Sequence, residues 1–146
     1  MYQEYGDKKV IDFVESDLFI LEESSTIADA AREMLKKGLS SVLVRSSDTG
    51  KPIGIVTEMD ILYRVVAENK SPFKTALKEI MSSPLISIDE STRVEEGVKL
   101  MRASGIRRLP VTHQGEMTGM LTLKTICGNS HEKKIELLDV ELPASS

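Results

Sequence analysis

The chain states its pattern twice. Leu18, Glu23, Ser24, Met34, Gly38 and Val44 return as Leu85, Glu90, Ser91, Met101, Gly105 and Val111, each displaced by 67 positions. After a slightly shorter loop, Gly54, Thr57 and Ile61 return as Gly119, Thr122 and Ile126, displaced by 65. In 146 residues such a duplication constrains architecture more than any single motif. Two copies of one supersecondary unit pack about a pseudo-twofold axis, and their seam is a natural place for a small ligand. Each copy is marginal for an independent core, so the two are expected to share one.

Within the first copy, Leu18 to Leu21 reads as extended, and Thr26 with Asp29 reads as a helix start. Ile27, Ala31, Met34 and Leu35 fall on one helical face, with Lys36 and Lys37 at its carboxyl end and Gly38 to stop it. Ser41–Val44 and Ile53–Thr57 read as strands around the turn Asp48–Pro52. Met59, Ile61, Leu62, Val65 and Val66 continue as a second helix. The second copy repeats the order: Pro84–Ile88 extended, a capping box of Thr92 and Glu95, a helical stripe of Val94, Val98 and Met101 closed by Gly105. Paired strands then surround Gln114-Gly115, and Pro110 within one of them implies an edge or a strand start.

The fold class expected is α/β (α+β): two pseudo-twofold-related β-α-β-β-α repeats packed as one module. Repeat 1 takes residues 8–68, a linker 69–76, repeat 2 residues 77–128 and a tail 129–146 of undetermined structure, with Ile135, Leu137, Leu138, Val140 and Leu142 as its apolar positions.

Charge and composition narrow the function. A net charge of −4 argues against nucleic acid as partner. The single cysteine, Cys127, excludes an intrachain disulfide and suits a reducing interior. No apolar run reaches membrane-spanning length and the amino terminus lacks a signal-peptide pattern, so a soluble, cytoplasmic protein is expected. His113 and His131 lack companions at metal-ligand spacing. No nucleophile–base pair or acid–base dyad stands out, and the chain is expected not to be an enzyme.

The repeats carrying Gly38-Leu39-Ser40-Ser41-Val42-Leu43-Val44 and Gly105-Ile106-Arg107-Arg108-Leu109-Pro110-Val111 resemble a pair of cystathionine-β-synthase (CBS) domains. Each is followed by a strand of the matching kind: Gly54-Ile55-Val56-Thr57-Glu58-Met59-Asp60 and Gly119-Met120-Leu121-Thr122-Leu123-Lys124-Thr125. The resemblance covers roughly residues 8–128. It implies a tandem module with two clefts that bind adenosine compounds such as AMP, ADP, ATP or S-adenosylmethionine, and that commonly forms a homodimer.

Thr57-x-x-Asp60, between a strand and a helix, is the sharpest motif. A carboxylate there can accept hydrogen bonds from both hydroxyls of a ribose, and the same spacing also caps a helix; the two roles are compatible. The resemblance places an adenine against Val14, Asp17, Phe19, Leu39, Ser40, Ser41 and Ile55, of which the apolar members could equally be core. It assigns phosphate contacts to Arg107 and Arg108, whose fork-shaped side chains suit phosphate and whose bland alternative is a solvated surface pair. The second cleft, around Ile86, Ile106, Met120, Thr122 and Thr125, has Thr125 in the acidic position, so it is expected to be weaker or empty. The resulting expectation is a regulatory module that binds an adenine nucleotide as regulatory ligand, with no catalytic cofactor, and signals occupancy to an unidentified protein partner. The rival is a constitutive dimerisation or interaction scaffold with vestigial clefts.

Overall fold

Buried apolar side chains in the computed structural model, which describes residues 5–128, gather in two clusters rather than the one shared core expected. The chain divides accordingly into one unit of residues 18–85 and another that joins 5–17 to 86–128. The tail 129–146 and its apolar positions lie outside the described residues.

In the first unit the order is β1 (Ile20–Glu22), α1 (Ile27–Lys37), β2 (Ser41–Arg45), β3 (Pro52–Thr57), α2 (Glu58–Ile61), a π-helical turn (Leu62–Val66) and α3 (Leu77–Ile80). β2 is the centre of a three-stranded sheet, parallel to β1 and antiparallel to β3. α1 begins as its sequence dictates: Thr26 Oγ1 accepts the Asp29 N–H at 3.1 Å. It ends at Gly38, whose φ of 65° is the left-handed conformation glycine adopts without steric cost. Ile27, Ala30 and Met34 are buried, whereas Leu35 is 84% exposed. The expected apolar stripe is corrected at two positions: the inward face runs through i, i+3 and i+7, and Ala31 and Leu35 lie beside it, not within it. The expected second helix is likewise split, with only Val65 of its apolar set buried.

The second unit contains β4 (Ile88–Asp89), α4 (Val94–Ser104), β5 (Arg108–His113), β6 (Glu116–Thr122) and α5 (Leu123–Cys127), with a 3₁₀ turn at Val10–Asp12. Its sheet has the same order and senses as the first. The β5–β6 turn uses positive φ at both Gln114 and Gly115, as a tight hairpin requires. Pro110 is not at an edge: it sits inside the central strand, paired with Met120. The first unit explains how this is tolerated. There Leu43, the counterpart of Pro110, donates its N–H to the Phe19 carbonyl at 2.9 Å. Proline has no N–H to give, and β4 starts only at Ile88, opposite Val111, shorter than β1.

The capping box expected from Thr92 and Glu95 is also corrected, since Arg93 is the N-cap and makes no side-chain cap bond. The Val94 N–H is taken by the Lys8 carbonyl at 3.0 Å, and the Thr92 carbonyl accepts from the Val10 N–H at 2.8 Å. A backbone segment has replaced the side-chain cap. The first unit docks the equivalent segment while keeping its side-chain cap at Thr26: the Ile27 N–H donates to the Thr75 carbonyl at 2.9 Å.

These contacts reveal a swap. Residues 8–15 complete the unit of the second repeat, and residues 75–82 complete that of the first. Isolated bridges pair Lys9 with Arg93 and Glu15 with Met120 in one unit, and Thr26 with Ala76 and Ile55 with Ser82 in the other. Val10 is buried in one core, Leu77 and Ile80 in the other. Each lead-in thus supplies apolar area that a repeat of this length lacks, at about 1.5–3 kcal/mol per buried aliphatic side chain.

Candidate functional site

Thr57 ends β3 and caps α2, so strand and helix meet at its backbone. Its hydroxyl accepts the Asp60 N–H at 3.2 Å. In return Asp60 Oδ2 accepts the Thr57 N–H at 2.8 Å and the Thr57 hydroxyl at 3.1 Å. One carboxylate oxygen is therefore spent on the helix start. The other, Oδ1, lies 3.8 Å from Arg64 Nε, within ion-pair range but beyond a hydrogen bond. Asp60 keeps 16% of its side chain exposed, a largely sheltered setting. A carboxylate fixed by two donors on one oxygen and retaining acceptor capacity on the other suits a diol.

The loop after α1 is sewn to this point. Ser41 is paired in register with Thr57, and the Ser40 carbonyl accepts the Glu58 N–H at 3.0 Å. Leu39 is anchored by its N–H to the Met34 carbonyl at 3.0 Å. Phe19 and Ile55 flank Leu43, through the Phe19 carbonyl bond and through strand register. Phe19, Leu39 and Ile55 are all partly exposed, as a ligand-facing role needs. The Lys37 ammonium lies 5.6 Å from the Phe19 ring centre. Phe19, Leu39, Ser40, Ser41, Ile55, Thr57 and Asp60 thus all lie in the first unit. Val14 and Asp17 belong to the other unit, where Val14 packs on the core of the second repeat. Their counterparts by the repeat spacing, Met81 and Pro84, lie in the first unit.

A groove of about 490 Å³ runs between α1 and the start of α2, lined among others by Ala31, Leu35, Leu39, Ser40, Glu58 and Ile61. It shares Leu39 and Ser40 with the residues expected to hold adenine, and does not include Thr57 or Asp60.

The second unit builds the same helix start without a charge. Thr122 Oγ1 accepts the Thr125 N–H at 3.1 Å, while Thr125 Oγ1 accepts the Thr122 N–H at 3.0 Å and donates to the Thr122 carbonyl at 2.8 Å. The hydroxyl is consumed by its own turn. Met120 is engaged by Glu15 through both backbone groups, at 2.9 and 2.8 Å. Ile106 packs against the core and Ile86 is exposed. The Arg107 carbonyl accepts the Leu123 N–H at 3.2 Å, its side chain is exposed, and the following Arg108 is opposite Thr122 in register.

His113 Nδ1 lies 3.4 Å from Glu90, and among the described residues no three metal-ligating side chains cluster; His131 lies outside them. Cys127 is buried. Among the described residues no helix is long and apolar enough to cross a membrane.

Three participants escaped the sequence reading: Arg64, Met81 and Ser82. Their signals were present. Arg64 is four residues beyond Asp60, a spacing that makes helical neighbours, and Met81 and Ser82 are the repeat counterparts of Val14 and Glu15.

The CBS domain family model matches residues 10–67 and 77–132. An uncharacterized protein of Methanopyrus kandleri is 38% identical over 104 residues, covering 70% of this chain and 53% of its own length. The chain thus spans about half of that relative. Among solved structures, a hexameric CBS-CP12 protein from bloom-forming cyanobacteria matches with a TM-score of 0.78 and 29% identity, over 86% of this chain and 69% of its own. A CBS domain protein from Pyrobaculum aerophilum, complexed with AMP, matches with a TM-score of 0.75 and 25% identity, over 90% and 99%.

Proposed function

The chain belongs to the CBS domain family, and from that premise we propose that it is a regulatory module whose first repeat binds an adenine nucleotide through Asp60. Paired CBS repeats are generally regulatory and non-catalytic. The carrying observation is the second oxygen of Asp60, left over from capping and 3.8 Å from its nearest cation. The AMP held by the Pyrobaculum aerophilum relative supports the ligand class.

In this reading Oδ1 accepts the ribose hydroxyls, and Phe19, Leu39, Ser40, Ser41 and Ile55 border the base. AMP, ADP or ATP would fit this chemistry. The site of the second repeat, around Ile86, Ile106, Met120, Thr122 and Thr125, binds more weakly because it offers no charge. Occupancy shifts the population of the module toward one arrangement that a partner protein reads. The protein acts in the cytoplasm.

A thermal-shift panel of AMP, ADP, ATP, NAD and S-adenosylmethionine tests this. A ligand at one hundred times its Kd adds about 2.7 kcal/mol of stability, or roughly 5–11 °C for a chain this size. No stabilisation by any adenylate would remove the proposal.

Self-association is a second reading with its own observation. Leu35, Met59, Leu62, Tyr63 and Val66 are all exposed on the helices of the first unit. Exposed apolar side chains concentrated in this way favour an interaction surface, and a homodimer through it would make the module a scaffold. Sedimentation of wild type against Leu62→Asp distinguishes the two: a scaffold dissociates, and its nucleotide response is nil.

A further inference from the structure

Arg64 stands where the sugar-binding carboxylate meets the segment through which the chain leaves the first unit. It projects from the π-helical turn, a kind of distortion found mostly at functional positions. Its Nε is 3.8 Å from Asp60 Oδ1, and its Nη1 donates to the Ile80 carbonyl at 2.9 Å. Ile80 ends α3, and the two residues after it lie against the candidate site. The Ser82 and Ile55 backbones exchange hydrogen bonds at 2.9 and 3.1 Å. Met81 approaches Gly54 so closely that a Cβ there would meet its sulfur at 2.6 Å. One guanidinium therefore touches both the carboxylate and the strap that closes over β3.

We propose that Arg64 is a positioning residue for ribose recognition: anchored on the Ile80 carbonyl, it holds Asp60 so that Oδ1 is presented to the sugar hydroxyls in one fixed place. This deepens the nucleotide-binding reading and rests on it. Thr57 fixes Oδ2 but leaves the carboxylate free to swing about that contact; a cation on the other side removes the swing. At 3.8 Å the cation does not fill the acceptor sites of Oδ1, so it orients without blocking. An arginine suits this position because its planar fork can face two acceptors at once, which a lysine ammonium on a flexible stem does less well. Half of the Arg64 side chain is exposed, so its worth as a plain surface ion pair is small and its effect should appear in specificity more than in stability.

The test is the ratio of Kd values for 2′-deoxy-AMP and AMP, measured by calorimetry on the full chain. Each hydrogen bond to a charged acceptor is worth about 10-fold or more in affinity, so wild type should prefer AMP by about 10-fold. In Arg64→Ala that preference should fall to about 2-fold or less, with 2′-deoxy-AMP bound nearly as before; a general loss of structure would weaken both ligands together. Arg64→Lys should give an intermediate ratio, and it decides the matter alone if the alanine variant does not fold. An unchanged ratio in either folded variant, with Asp60→Thr still abolishing the preference, overturns the role of Arg64 and leaves the nucleotide site standing. A wild type without ribose preference, or an Asp60→Thr variant that keeps it, overturns the nucleotide reading and this inference with it.

Discussion

The two helix starts, Thr57–Asp60 and Thr122–Thr125, are one backbone device made with two chemistries. Both are reciprocal caps in which the threonine hydroxyl accepts the N–H three residues on, and the threonine N–H donates to that residue's side chain. In the second unit a hydroxyl completes the cap and is fully used by it. In the first a carboxylate completes the same cap and has an oxygen to spare. The second repeat therefore serves as an internal control: folding this turn does not require the charge, so the charge in the first repeat answers to something else. A capping pattern met alone in a sequence cannot separate these roles; met twice, with one partner changed, it can.

The comparison extends to the lead-in segments, and it is broken most severely through them. Leu77→Ala should destabilise the first unit by about 2–5 kcal/mol, and Val10→Ala the second by less, because a smaller side chain is removed. Amide exchange should show each loss chiefly in the unit that borrows the segment, β1–β3 for Leu77 and β4–β6 for Val10. Loss confined to the neighbouring repeat in sequence would refute the swap.

Next come the two glycines that let the segments lie against the strands. A Cβ on Gly119 would meet the Glu15 carbonyl oxygen, a backbone atom, at 2.3 Å, whereas on Gly54 the nearest atom belongs to the flexible Met81 side chain at 2.6 Å. Gly119→Ala should cost about 1–3 kcal/mol and Gly54→Ala less, by urea unfolding. Equal costs would mean the backbone approach at Glu15 is not tight.

Thr125→Asp sharpens the chemical comparison directly. It should keep stability within about 1 kcal/mol, because a carboxylate completes the equivalent cap at Asp60, while adding a second, weaker adenylate-binding event by calorimetry. An unchanged stoichiometry would show that a carboxylate alone does not make the site.

The smallest effect is expected at Asp89. Hydrogen bonds from the Ser91 hydroxyl, then the Ser91 N–H, and the nearby His113 charge hold this carboxyl below its ordinary value of 3.8. Its counterpart Glu22 instead pairs with Arg45 at 3.1 Å. A depressed value stabilises the folded state above the unfolded pKa and ceases to do so as pH falls through the folded one. Asp89→Asn should therefore be slightly less stable than wild type near neutral pH, with the gap closing only below about pH 3.8 in urea melts. A gap independent of pH would contradict this.

Much of the fold was legible because local chemistry and repeat spacing agreed. Thr26, Gly38, Gly105 and Gln114-Gly115 each sit where their side chain or backbone freedom is used. The swap was not legible, for a physical reason. Val14 and Glu15 share no residue type with Met81 and Ser82, and their docking on β6 and β3 runs through backbone groups, which leave no mark in side-chain identity. The outward turn of Leu35 was hidden as well, since a stripe of i, i+4, i+7 and i+8 fits helical periodicity whichever neighbour defines inside. Of the candidate site, the sequence revealed which residue types converge, and the Asp60-to-Thr125 asymmetry. It could not reveal that one oxygen of Asp60 is spent and the other is not.

Replacing Asp60 by threonine makes the first repeat copy the second, and AMP calorimetry with a urea melt on Asp60→Thr is the most direct test. A cap retained within about 1 kcal/mol together with affinity reduced by about 100-fold or more is the outcome expected of a carboxylate kept for a ligand. Undiminished AMP affinity, or a collapse of the fold, would mean that the charge at position 60 serves the helix and not a sugar.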